Sequence, residues 1–225
     1  VSSNGDFVYI TPPDTYQPII TGLGAREIIG QLPDRSIIVA INRGDEYLCR
    51  LLRIDPKTKK IHDLGIKADQ AFLSPDGTRI AVMVPSLNSY SNTSSLSIYN
   101  IDTGNSVCVS ENVSPPIYWS GEGDKVLYTV DTGLGFGITR LEIFNIKTRH
   151  KEAQSKAGLL SAAGWLSNDE ILARQQSSLP EAKHLYITCE LDSTGQFKKA
   201  QPYKINPEFI HDIRKGNILT SETIG

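Results

Sequence analysis

Ala71-Phe-Leu-Ser-Pro-Asp-Gly-Thr-Arg-Ile-Ala-Val-Met-Val84 is the stretch on which the reading of the fold turns. Apolar residues run up to Leu73, a polar tetrapeptide reverses the chain, and residues 80–84 run back. Pro75 presets φ and Gly77 supplies the left-handed position, so backbone chemistry specifies the turn. The stretch predicts strand, tight turn, strand.

Outward from it the pattern repeats. The return strand recurs at Ile37, Ile80, Val126, Ile171 and Ile218, in steps of 43, 46, 45 and 47 residues. Before each turn an inner-strand candidate ends in Leu32, Leu73, Trp119, Trp165 or Ile213. A third strand follows in four units, at 48–54, 96–101, 141–146 and 185–191, with period-2 alternation and β-branched enrichment in most. Turn chemistry comes next, as Asp55-Pro-Lys-Thr, Asp102-Thr-Gly, Lys147-Thr-Arg and Asp192-Ser-Thr-Gly, and a weaker fourth strand such as 106–110 completes the unit. Four strands per period of about 45 residues is the signature of a propeller blade.

The fifth unit supplies only two strands, at 209–213 and 218–224, while 6–11 and 18–20 read as strands three and four without their first two. Counted across the joined ends, Ile218 to Phe7 spans 14 residues, against 16, 15 and 14 for the same offset in units two to four. The expectation is an all-β fold, one domain over residues 1–225. It is a five-bladed β-propeller of four-stranded antiparallel blades, the last blade closed by the N- and C-terminal strands. Such closure pairs strands that would otherwise be adhesive edges.

Composition narrows the classes. The net charge of −2 with mixed signs gives no basic footprint for nucleic acid. The longest apolar runs are strand-sized, far short of a membrane-spanning helix. No signal peptide is legible, and the start at Val1 fits a mature or trimmed form. Cys49, Cys108 and Cys189 stand singly in strand-like runs, so they read as small buried apolar side chains rather than a disulfide framework.

At Leu73-Ser-Pro-Asp-Gly-Thr-Arg-Ile-Ala-Val the sequence resembles the WD-like repeat of TolB-type propellers, in which Ser-Pro-Asp-Gly follows an aromatic residue or Leu. Tyr118-Trp-Ser-Gly-Glu-Gly-Asp-Lys-Val-Leu-Tyr is a second copy lacking the Pro, and Gly164-Trp-Leu-Ser-Asn-Asp-Glu-Ile-Leu-Ala a third, one residue shorter. Gln31-Leu-Pro-Asp-Arg-Ser-Ile-Ile-Val and Asp212-Ile-Arg-Lys-Gly-Asn-Ile-Leu-Thr are degenerate copies. The likeness is to the repeat rather than to TolB itself, whose family has six blades and an added N-terminal α/β domain. Related repeats form the propellers of prolyl-oligopeptidase-like enzymes, in which the catalytic serine lies in a separate hydrolase domain. The resemblance alone implies a bacterial protein outside the cytoplasm, periplasmic or extracellular.

Chemistry-bearing motifs are sparse. No Gly-x-Ser-x-Gly elbow occurs. Gly133-Leu-Gly-Phe-Gly lies between two strands with no helix to follow, so it reads as a strand connection rather than a phosphate loop. His62, His150, His184 and His211 are scattered, and neither a metal nor another cofactor is expected. Five-bladed propellers include glycosidases, which need converging carboxylates. The position five residues before the motif aromatic holds Glu27, Ala68, Ser114, Leu160 and Glu208, with Asp69 and Asp212 nearby out of register. Glu27, Asp69 and Glu208 are therefore candidates at the channel mouth, as a carboxylate set or as solvated acids.

By analogy with propellers generally, the second-to-third-strand loops and fourth-to-first-strand connections make the binding face. They offer Arg43, Tyr90, Phe136 and Arg140 as contact residues. The sequence thus points to a non-catalytic scaffold binding a protein or small ligand through its loop face and channel mouth. It would be a monomer or one module of a longer chain. The alternative is a glycan-active or glycan-binding propeller using the channel carboxylates.

Overall fold

The computed structural model of the chain describes residues 7–11, 15–20, 25–42, 47–86, 93–135, 137–175, 185–192, 197–198 and 201–203. Strand pairing among the described residues is antiparallel. The chain divides into two compact units, one of Val1–Pro85 with Leu96–Cys108, the other of Ser86–Ser95 with Val109–Gly225.

The first unit opens with a hairpin, β1 (Phe7–Thr11) on β2 (Thr15–Ile20), closed at Thr11 opposite Thr15. These are the strands expected to share a sheet with the C-terminal segment. Ile218, their expected partner, lies outside the described residues. The first blade follows in simple order: β3 (Ala25–Gln31), β4 (Ile37–Ile41), β5 (Cys49–Ile54) and β6 (Ile61–Ala68). The second blade comprises β7 (Gln70–Leu73), β8 (Arg79–Pro85), β9 (Ser94–Asn100) and the start of β10 (Ser106–Trp119).

Central strands of the first blade are buried on both faces, which is why β4 reads Ile-Ile-Val-Ala-Ile rather than alternating with polar residues. Ile38, Ala40, Cys49, Leu51 and Ile66 pack with Ile80, Val82 and Ile101 of the second blade. Val39, Ile41, Leu52 and Ile54 form a second cluster with Ala25. Burying each such Leu or Ile contributes about 1.5–3 kcal/mol, so the packing of the first blade on the second is a large stabilising contribution.

In the second unit the end of β10 opens a blade completed by β11 (Lys125–Asp131), β12 (Thr139–Asn145) and β13 (His150–Gln154). The next blade is β14 (Leu160–Trp165), β15 (Glu170–Gln175), β16 (Leu185–Glu190) and β17 (Gln201–Tyr203). Leu127, Leu141, Ile143 and Ala153 meet Ala162, Ile171, Ala173, Ile187 and Cys189 between these two sheets. Polar bonds cross the same interface. The Ala162 N–H donates to Thr129 Oγ1 at 2.8 Å, and Trp165 Nε1 donates to the Tyr118 carbonyl at 3.1 Å. Trp165 thus belongs to blade packing, as its place in the repeat predicts, while Trp119 is half-buried.

The inner turn is held by a hydroxyl. In the second blade Ser74 N donates to the Arg79 carbonyl (2.9 Å), Gly77 N donates to the Ser74 carbonyl (2.9 Å), and Ser74 Oγ accepts the Arg79 N–H (3.0 Å) and donates to Asp76 Oδ1 (2.5 Å). Gly77 has φ of 68°, the conformation Gly adopts without penalty. The third blade repeats this with Ser120, Lys125 and Gly123, but the acid that accepts the Ser120 hydroxyl is Asp124, two positions later than Asp76 in the second blade. In the first blade Arg35 takes the left-handed position, with φ of 71°.

A second repeated device closes the outer hairpins. Asp55 Oδ1 accepts the N–H groups of Lys57 and Thr58, Asn100 Oδ1 those of Asp102 and Thr103, and Asn145 Oδ1 those of Lys147 and Thr148. The anchors stand 45 residues apart. The next left-handed residue is Lys59, Gly104 or Arg149. Turn chemistry in the sequence alone places the start of this turn at Asp102 and Lys147. The structure moves the anchor back to Asn100 and Asn145, because it is their side-chain carbonyls that face the turn's free N–H groups. Cys49 and Cys189 are buried as expected, but Cys108 is exposed on β10.

Candidate functional site

The β11–β12 connection and the β13–β14 connection of the third blade approach each other and form an open cleft. Thr139 and Gly158 exchange two backbone hydrogen bonds, each 2.8 Å, and Ser155 N donates to the Leu141 carbonyl at 2.9 Å. On the other side Thr132 Oγ1 donates to the Ile138 carbonyl at 2.7 Å, and Gly133 N donates to Asp131 Oδ1 at 2.9 Å. Gly133, Gly135 and Gly137 all have positive φ, which lets this connection turn back on itself. The stretch is a strand connection, as its sequence context indicates.

The cleft has a volume of about 490 Å³ and is lined by Thr132, Leu134, Arg140, Gln154, Ser155 and Lys156. Leu134 is 71% exposed, unusual for a large apolar side chain. Arg140 is held from beneath. Its Nε donates to Glu142 Oε1 at 2.6 Å; Lys151 Nζ donates to the same oxygen at 2.7 Å, and the Tyr128 hydroxyl donates to Oε2 at 3.0 Å. The Glu142 side chain is 0% exposed. A buried carboxylate is tolerated only when paired and hydrogen-bonded, and here all three partners serve it. Burial first, then the Glu142 charge, pushes the Tyr128 hydroxyl far above the ordinary phenol range, so it remains a donor.

Of the residues singled out by sequence, Arg140 is in this cleft. Glu27 is exposed on β3. Asp69 stands between β6 and β7, 3.9 Å from Arg26 Nη1, and Arg26 Nη1 also lies 3.5 Å from Cys49 Sγ. The structure therefore gives Asp69 a cationic partner. Ala68, counted with the inner strands by spacing, instead ends β6 opposite Cys49. Arg43, Tyr90, Phe136 and Glu208 lie outside the described residues. No group of His, Cys, Asp and Glu among the described residues is arranged to hold a metal ion.

Sequence reasoning passed over Glu142, Leu134, Lys156 and Tyr47. Glu142 stands between Leu141 and Ile143 as one step of ordinary strand alternation, and only the register that sets Tyr128 opposite it marks it out. Tyr47, in the second-to-third-strand connection of the first blade, is 72% exposed. Nothing in an isolated Asp-Glu-Tyr-Leu run distinguishes it from a core residue.

Antiparallel sheets wound in simple chain order, two of four strands and one of seven in which β10 serves both the second and the third blade, have a β-propeller-type architecture. Comparison with solved structures agrees. The chain is similar to the β-propeller domain of the Trilobed protease from Pyrococcus furiosus (TM-score 0.59, 14% identity, 80% of this chain and 57% of that one). It is similar to the acylaminoacyl peptidase of Pyrococcus horikoshii (TM-score 0.57, 14% identity, 80% and 32%) and to a TolB-type protein of Agrobacterium tumefaciens (TM-score 0.53, 11% identity, 89% and 74%). At these identities the likeness establishes the fold. The chain spans 57% and 32% of the first two proteins. No protein-family model and no curated protein matches the sequence.

Proposed function

We propose that this chain is a non-catalytic binding platform, a five-bladed propeller that engages a protein or small ligand through its second-to-third-strand loops. The observation that carries the reading is the exposure of Tyr47 and Leu134. Each is more than two-thirds exposed, and each stands in the second-to-third-strand connection of its own blade. Within its own unit, each is an apolar side chain presented to solvent on a loop of the kind through which propeller blades make contacts.

Recovery of interacting proteins on immobilised wild-type chain, compared with Tyr47→Ser and Leu134→Ser, tests this reading. A partner retained by wild type and lost from the variants is expected; identical recovery rejects the platform. Ring closure is part of the proposal, with β1 and β2 completing the fifth blade. The Trilobed protease propeller is described as having an open velcro topology, so closure needs its own measurement. Deleting residues 207–225 is expected to lower the unfolding temperature by more than about 10 °C, equivalent to several kcal/mol for a chain of this size. An unchanged midpoint would remove the fifth blade from the proposal.

A further inference from the structure

We infer that the cleft beside Arg140 takes an extended peptide segment carrying a carboxylate next to an apolar side chain. The inference rests on the platform reading and names its ligand class. Three observations converge on it.

The first is charge. Glu142 supplies one negative charge to two cations, Arg140 and Lys151, and Lys156 adds a third at the cleft wall. No acid lines the cleft among the described residues, and Asp131 at the foot of the loop is turned to the Gly133 N–H. The second is orientation. Arg140 is bound to Glu142 through Nε alone; its two terminal nitrogens have no partner among the described residues, nor does Lys156 Nζ. A guanidinium fixed at Nε presents a preorganised fork of donors, the geometry that matches a carboxylate.

The third observation is shape. The cleft is open along one side, with Leu134 standing out beside it, so it would cover little of a small free acid. Small-molecule sites bury most of their ligand, whereas an extended chain can lay a carboxylate on Arg140 and an apolar neighbour on Leu134. One fixed guanidinium and one lysine on a flexible stem also suit a singly charged carboxylate better than a phosphate, which draws on clustered arginines.

A randomised heptapeptide library selected on the full chain tests the inference. Selection on wild type is expected to enrich Asp or Glu adjacent to Leu, Ile, Val or Phe, and selection on Arg140→Met is not. The leading peptide should bind about tenfold more tightly than its amide twin, the loss expected for one charge-assisted pair. Lys156→Met should weaken it about threefold. Absence of acidic enrichment, equal affinity of the amide twin, or unchanged selection on Arg140→Met overturns the inference. So does displacement of the peptide by inorganic phosphate but not by acetate. Should Arg140→Met fail to fold, the amide twin and Lys156→Met decide the matter. Loss of acidic preference while Tyr47→Ser still abolishes partner retention overturns this inference and leaves the platform. Intact acidic selection with retention indifferent to Tyr47→Ser and Leu134→Ser does the reverse.

Discussion

Gly77 packs its α-carbon against Pro33: a Cβ built on Gly77 would lie 2.6 Å from Pro33 Cδ and 3.3 Å from Cγ. The inner turns of the first two blades therefore touch at a point where no side chain fits, and the same glycine holds a φ of 68°. Gly104, with φ of 69°, has open space where its Cβ would be.

Comparing the two glycines separates strain from packing. Gly104→Ala carries only the left-handed penalty and should cost about 1 kcal/mol. Gly77→Ala adds a clash with a rigid ring and should cost roughly 2–4 kcal/mol. Denaturant unfolding of both variants measures the difference, and equal costs would mean that Pro33 yields freely.

Left-handed positions held by long side chains give the opposite sign. Lys59 and Arg149 occupy, at φ of 57° and 59°, the hairpin position that Gly104 fills in the second blade. Lys59→Gly and Arg149→Gly should each stabilise by up to about 1 kcal/mol, because relief of strain exceeds the entropy glycine loses on folding. A drop in the denaturation midpoint in either variant would show that the side chain contributes more than its backbone strain costs.

Tyr128 and Glu142 form the buried half of the cleft's support, joined at 3.0 Å. Tyr128→Phe leaves one carboxylate oxygen without its hydroxyl donor and should destabilise by about 1–3 kcal/mol. Because the folded-state affinity of this hydroxyl for its proton is raised above the ordinary value of 10.0, its contribution is present below that pH and is lost as alkali unfolds the chain. In an ultraviolet titration one tyrosine of the wild type should ionise only with unfolding. Ionisation of every tyrosine in the native state would contradict the burial of this pair.

Acid acts through a different group. The Ser36 hydroxyl at 2.5 Å, then Arg53 at 2.6 Å and the Ser36 N–H at 2.9 Å, hold the Asp34 carboxyl at about 2 against an ordinary 3.8. A depressed folded-state value means that this contribution is present above about pH 4 and is lost as pH falls through 2. Asp55 adds in the same direction, through the Thr58 hydroxyl first and then the Lys57 and Thr58 N–H groups. Denaturant midpoints should fall between pH 4 and 2, less steeply in Asp34→Asn; parallel profiles would show that Asp34 is not differently paired in the folded chain.

The repeat was legible because its turns and return strands obey local rules. A Ser or Asp side chain, a left-handed residue and an apolar run can all be recognised without knowing the fold, and β4, β8, β11 and β15 begin at or within a residue of where that reading placed them. The outer hairpin misled by two residues because Asp102 and Lys147-Thr148 carry turn chemistry of their own, while the true anchors, Asn100 and Asn145, close a strand. The candidate site was legible only at Arg140. Whether Leu134 or Tyr47 faces solvent depends on the path of a loop over the sheets, and Glu142 looks like ordinary strand alternation until Tyr128, Arg140 and Lys151 are brought round it.

The Ser74 and Ser120 turns share a hydroxyl in one place and carboxylates in two, Asp76 and Asp124. Common to these two turns is the serine oxygen that caps the returning amide, with the acid at either of two positions, whereas the first blade turns at Leu32 and Arg35 without that hydroxyl. A search pattern keyed to serine, a left-handed residue three positions on and an aliphatic strand start would detect blades that a Pro-Asp-Gly signature overlooks, in this chain and in others whose turns have drifted the same way.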